Sequence, residues 1–181
     1  MLQITVPDRE WFDNNTQQFY SLKGGVLKLE HSLLSISKWE SKWHKPFLNR
    51  DAKDTKTNEE LYDYVRCMSI VPNVSMELIL GLTEENLKDI FAYIDNPMTA
   101  SYVHERKSQT HGEVLTSELL YYYMISLGIP FECEKWHLNR LIMLIKICSV
   151  KNNPRKMSRS EILAQNHALN QARRKRLGSK G

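Results

Sequence analysis

The chain has 181 residues, 41% of them hydrophobic and 25% charged, with a net charge of +4; that balance is close to the globular average and excludes wholesale disorder. Its three cysteines, Cys67, Cys133 and Cys148, form an odd set without a C-x-x-C pair, so buried thiols in a reducing compartment explain them better than a disulfide framework. No run approaches the roughly 18 consecutive apolar residues of a membrane span, and no basic-then-apolar leader pattern opens the chain, so the expectation is a soluble, intracellular protein.

Residues 2–6 alternate apolar and polar side chains until Pro7, a period-two strand pattern. Gly24-Gly25 marks a turn, and residues 26–29 after it read as a strand that pairs with the first or with residues 19–22. Ser32 then offers a helix N-cap, and Leu33, Ile36, Trp39, Glu40 and Trp43 recur at helical spacing until Pro46, with Lys38, Lys42 and Lys45 on the opposite face. Residues 49–57 are polar and predict a solvent loop. Thr57 and Glu60 form a capping box for a helix presenting Leu61, Tyr64, Val65 and Met68 on one side.

A short helix is expected from Ser75 to Leu80, and Thr83 caps another whose Leu87, Ile90, Phe91 and Ile94 make an apolar stripe ending at Asn96-Pro97. Residues 98–112 read as a polar loop, either mobile or ordered by a partner. Residues 116–127 form a helix apolar on all sides, expected to be central, with Gly128 as its C-cap. The next helix, 134–150, buries Trp136, Leu138, Leu141, Ile142, Leu144, Ile145 and Cys148, and the two are expected to make the core hairpin. Ser158 and Glu161 cap a last helix reaching Leu177, with Ile162, Leu163, Ala168, Leu169 and Ala172 as a thin stripe, and residues 178–181 are expected to be disordered.

Charge divides unevenly. Residues 151–181 hold nine bases (Lys151, Arg155, Lys156, Arg159, Arg173, Arg174, Lys175, Arg176 and Lys180) and one acid, Glu161, for a net +8, which leaves −4 on residues 1–150. The fold class is therefore mainly α: a helical bundle with a small N-terminal antiparallel β element and a basic C-terminal helix. Residues 1–150 are read as the body and 151–181 as the basic helix and tail.

The six histidines, His31, His44, His104, His111, His137 and His167, lack zinc-ligand spacing; Cys133 and His137 are the one i, i+4 pair, and a packed polar contact is the favoured role for His137. Glu59-Glu60 and Glu84-Glu85 sit in first turns, where the helix dipole explains them, and no nucleophile elbow or phosphate loop is present. No catalytic residue, metal or cofactor is expected. The repeat Lys38-Trp39-Glu40-Ser41-Lys42-Trp43 puts two indoles on one helix face and two ammonium groups on another: core anchors first, an exposed binding hot spot second. Arg159 and Arg173-Arg174-Lys175-Arg176 are candidate partner contacts, with protein or solvent ranked ahead of nucleic acid because no aromatic follows Trp136 to stack a base.

Residues 29–32 (LEHS), 37–47 (SKWESKWHKPF), 129–141 (IPFECEKWHLNRL), 157–163 (MSRSEIL) and 168–174 (ALNQARR), in this order, resemble a tailed-bacteriophage family of small proteins labelled tail assembly chaperones or structural-module proteins. The resemblance implies a noncatalytic role in the host cell cytoplasm: binding the tape-measure protein and helping tail-tube protein polymerise around it, with a homo-oligomer and a longer, frameshifted product both open. The alternatives are a virion structural or head-to-tail joining subunit and a nucleic-acid binder. Met68, Met76, Met98, Met124, Met143 and Met157 are candidates for adaptable client contacts, with core filling as the commoner use of such residues, and the basic helix for docking on an acidic client.

Overall fold

In the computed structural model, which describes residues 1–14, 17–49, 56–103, 114–152 and 159–178, the alternating first residues form strand β1 (Leu2–Val6), antiparallel to β4 (Gly25–Leu29). Ile4, Val6, Leu27 and Leu29 enter the core, while Gln3, Thr5, Val26 and Lys28 face outward, as the pleat requires. Between them β2 (Arg9–Asp13) and β3 (Gln18–Leu22) make a second antiparallel pair. Val6 opposes Gly25 and Arg9 opposes Leu22, so one register runs through all four strands, and they are the two arms of a single long hairpin.

The interruption falls at Pro7, which has no N–H to give a ladder. There the Asp8 carboxylate accepts the Gly24 N–H at 2.7 Å. A side chain at Gly24 is barred, because its Cβ would lie 2.2 Å from the Val6 carbonyl oxygen. The reversal expected at Gly24-Gly25 therefore does not occur: the two glycines let the arms pass closely, and the chain turns between Asp13 and Gln18, beside Gln17 in the left-handed region (φ 50°). Strand β2 carries no clean alternation and was not expected.

Helix α1 (Leu33–Trp43) opens on reciprocal Ser32 and Ser35 bonds and ends at His44, whose left-handed backbone (φ 53°) closes the last turn. It is the hub of the bundle, touching α2 (Asn58–Cys67) and α5 (Ser117–Ser126). The Thr57–Glu60 capping box opens α2 as the sequence predicts. After α2, Glu30 N–H donates to the Met68 carbonyl and Ile70 N–H to that of Lys28, both at 2.9 Å, which adds a short third rung beside β4. Ser75 caps the short α3 (Met76–Leu80), and Thr83, with Asn86 in the reciprocal position, caps α4 (Glu84–Asp95), which lies on β1.

Several expectations change. Phe91 of α4 is 44% exposed. Helix α5 is two-sided: Leu120 and Met124 are buried, but Tyr122 and Ile125 face solvent at 61% and 64% exposure, and its main contacts are with α1 and not with a following hairpin partner. The helix expected from residue 134 begins later, as α6 (Leu138–Asn152), after a 3-10 turn over Phe131–Lys135. Pro130 starts that turn and Trp136 is extended (ψ 160°), so the α-helical phase is set four residues downstream and Trp136 swings out to 36% exposure. Leu138, Leu141 and Ile145 are the residues α6 buries.

The protein is thus mostly helical with a small antiparallel strand element at its N-terminal end. It divides into two compact units, residues 1–148 and 149–181. In the second, α7 (Arg159–Leu177) exposes every side chain described. Among the described residues no helix is long and apolar enough to cross a membrane. The expected Ser158–Glu161 cap, most of the 49–57 and 98–112 loops, and residues 179–181 lie outside the described residues.

Candidate functional site

The tandem Lys-Trp repeat of α1 is spent inside the molecule. Trp39 has no exposed surface, and its indole N–H donates to the Glu60 carbonyl at 2.8 Å. The half-buried Trp43 donates to the Asp63 carboxylate, also at 2.8 Å. Lys42 and Arg66 both pair with Asp63 at 2.9 Å, and Lys45 pairs with Glu60. Burial alone would raise the Asp63 carboxyl, yet the bonds from Lys42, Trp43 and Arg66 outweigh it and hold it below its ordinary value. Trp39 is therefore a core anchor, as the first of the two readings has it, and not a docking residue, while Trp43 and Lys42 are committed to fastening α1 onto α2. Lys38, exposed on the outer face of α1, is left at the surface.

Glu40 lies on the same apolar stripe and is 7% exposed. One carboxylate oxygen accepts the Phe47 N–H and the other the Ser117 N–H, each at 2.7 Å. Ser117 opens α5, so a buried negative charge sits where that helix has its orphan donors. Its presence among Leu33, Ile36 and Trp39 was the sequence signal for a buried carboxylate.

A second polar cluster, absent from the sequence reading, joins distant segments. His31 is buried at the β4–α1 junction and its Nδ1 meets the Tyr64 hydroxyl. His137 sits at the N-cap position of α6: its Nε2–H donates to the Tyr93 carbonyl at 2.9 Å, and its Nδ1 accepts the Asn139 N–H at 3.3 Å. Those bonds fix the neutral tautomer with the proton on Nε2. The Tyr93 hydroxyl in turn donates to Glu30 at 2.6 Å. Burial, with His137 nearby, pushes His31 down to about 3, and burial lowers His137 as well. The expected packed polar contact of His137 is what the structure shows. Its helical pairing with Cys133 fails, because the 3-10 turn separates them and both ring nitrogens are engaged. Among the described residues no three His, Cys, Asp or Glu side chains converge as metal ligands.

Beside this cluster, Glu30, Tyr93, Lys135, Trp136, His137 and Arg140 line a cleft of about 260 Å³, smaller than the usual ligand pocket of about 300 Å³ or more. The Arg140 guanidinium stacks over the Trp136 ring at 4.3 Å within the lining of the cleft.

Among the described residues, two surfaces outside the core bear on a binding role. The outer half of the hairpin carries Phe12 and Phe19 on one face, 41% and 75% exposed, with rings 4.8 Å apart. The basic helix α7 presents Arg159, Arg173, Arg174, Lys175 and Arg176, all exposed. Of the methionines proposed for client contact, Met68 and Met124 are core residues, whereas Met76 and Met98 are each 38% exposed; Met157 lies outside the described residues. No protein-family model, curated protein or solved structure matches the chain.

Proposed function

We propose that the chain is a noncatalytic assembly factor for bacteriophage tails, which binds the tape-measure protein and assists polymerisation of the tail-tube protein around it. The phage setting comes from the resemblance of the motifs at residues 29–47 and 129–174. The observation that carries a binding role is the outer hairpin: two aromatic rings, Phe12 and Phe19, are held out on a two-stranded ribbon instead of being folded into the core. An isolated two-stranded ribbon is marginal in water, so aromatic surface maintained there is best used by a partner that covers it. Support for the absence of catalysis is that the buried histidines, His31 and His137, are tied into structural hydrogen bonds.

The test is co-expression with the tape-measure protein. Soluble yield of that client is expected to rise with the wild-type chain and to return to baseline with Phe12→Lys and Phe19→Lys combined. Equal client solubility with and without the chain refutes the reading. Recovery of the chain at fixed stoichiometry in purified virions would instead establish it as a structural or head-to-tail joining subunit.

A further inference from the structure

Helix α7, expected from the sequence to dock on an acidic client, has a charge geometry that such a surface would use only in part. Arg173, Arg174, Lys175 and Arg176 are consecutive and exposed within a continuous helix. At about 100° per residue they encircle it, so cations point to every side of the last full turn. Residues 162–181 contain no acid. An acidic protein surface lies on one side of a helix and would leave about half of this collar facing water. A groove whose two walls are both negative would engage both flanks of it as well as the side facing the floor.

We propose that α7 inserts into the major groove of duplex DNA, a function beyond the assembly role. The major groove is about 12 Å wide and admits a helix about 10–12 Å across, with phosphates along both rims. The remainder of the helix suits the groove floor. Asn166, Asn170 and Arg173 fall at i, i+4 and i+7 on one face, all exposed. They span about 10 Å along the axis, close to three base-pair steps of about 3.4 Å. Asn pairs in bidentate fashion with adenine edges and Arg with guanine edges, so this face is a reading face, while Arg174 and Arg176, on its two flanks, serve the phosphates of the two rims and Lys175 faces outward. The lack of an aromatic after Trp136 argues against base stacking on a single strand and leaves groove insertion unaffected.

The test is a mobility shift of the full chain with a duplex of about two helical turns, with the same strand unpaired, and with poly-glutamate as competitor. Binding to the duplex is expected, weakening about tenfold between about 50 and 200 mM salt, as neutralisation of about two phosphates by Arg174 and Arg176 requires. Combined Arg173→Gln, Arg174→Gln, Lys175→Gln and Arg176→Gln should weaken it at least tenfold; these side chains are exposed, and the body should retain its melting temperature. From a pool of random duplexes the wild type should select a preferred sequence, and Asn166→Ala with Asn170→Ala should lose that preference while binding the unselected pool within about twofold. No shift at about 50 mM salt, equal or tighter binding of the single strand, competition by poly-glutamate as effective as by DNA, or a shift unchanged in the four-Gln variant would each overturn the proposal. An unchanged sequence preference in the double Asn variant would remove the reading face.

Discussion

The rings of His31 and His137 stand edge to face, 5.2 Å between centroids, in the core where the β4–α1 junction meets the start of α6. The adjoining backbone is joined as well, since Leu138 N–H donates to the His31 carbonyl at 2.7 Å. Protonating His137 would replace the lone pair that caps α6 with a donor, and protonating His31 would put a second cation beside it. Both groups have folded-state values below the ordinary 6.5, so the unfolded chain takes up more protons as pH falls. The stability they protect is complete above about pH 6.5 and is lost as pH drops toward the folded value of about 3 for His31. Each contributes a slope of up to about 1.4 kcal/mol per pH unit. Urea unfolding between about pH 6.5 and 5.5 favours these histidines, because Glu60 and Asp63, held low by their own partners, begin to act only as pH approaches their ordinary values of 4.5 and 3.8. His31→Gln should remove close to one proton from the slope; a slope identical to the wild type would show that His31 is not the titrating group.

Glu40 ties the hub helix to the start of α5 through two backbone N–H groups. Glu40→Ala would leave the Ser117 N–H buried without an acceptor, at a cost of about 3 kcal/mol, the loss expected for charge-assisted bonds whose donors cannot reach water. Glu40→Gln keeps one acceptor oxygen and should lose about half as much. Equilibrium unfolding at neutral pH measures both. If the two substitutions cost the same, the two-donor bridge is not the source of the stability.

Local chemistry made much of this legible in advance. Thr57 with Glu60, and Thr83 as an N-cap, announce helix starts because the cap and the amide it bonds lie within four residues. Glu40 was counted in the apolar stripe of α1, a position that signals burial, but its role as a buried carboxylate was not read from it. The His31–His137 contact was not, since nothing local reports which of six histidines meet across the core. Trp136 was misplaced for a related reason: a 3-10 turn after Pro130 shifts the helical phase, and a periodicity reading that starts the helix at residue 134 assigns the wrong face. The outer hairpin escaped because β2 reads Arg-Glu-Trp-Phe-Asp, with charge at three of five positions and no alternation to signal a strand.

Gly24 and Gly25 look equivalent in sequence and are not equivalent in space. A Cβ at Gly24 meets the Val6 carbonyl oxygen at 2.2 Å and the Pro7 carbonyl carbon at 2.6 Å, backbone that cannot move without opening the hairpin; at Gly25 the nearest atoms are Leu78 methyls at 3.5 and 3.6 Å, an ordinary contact. Gly24→Ala should cost about 1–3 kcal/mol, the usual range for overpacking. It should also raise amide exchange through β2 and β3, where the Asp8–Gly24 bond is lost. Gly25→Ala should lie within about 0.5 kcal/mol of the wild type. Equal exchange rates in the two variants would argue against a close crossing at Gly24.

The two tryptophans of α1 separate burial from attachment. Trp39 is enclosed between Trp43 and Phe47, with ring centroids 6.3 and 5.1 Å away, and holds the Glu60 carbonyl through its indole N–H. Trp39→Ala should cost about 3–5 kcal/mol, from lost apolar contact and the cavity left behind. Trp43→Phe keeps most of the ring and gives up the bond to Asp63, a carboxylate that still holds Lys42 and Arg66; about 1 kcal/mol is expected. Lys38→Glu changes an exposed charge on the outer face of α1 and should leave stability within about 0.5 kcal/mol. Urea midpoints for the three variants should therefore fall in the order Lys38→Glu, Trp43→Phe, Trp39→Ala. A Trp39→Ala protein as stable as Lys38→Glu would return the indole to the surface and revive the α1 repeat as a docking site.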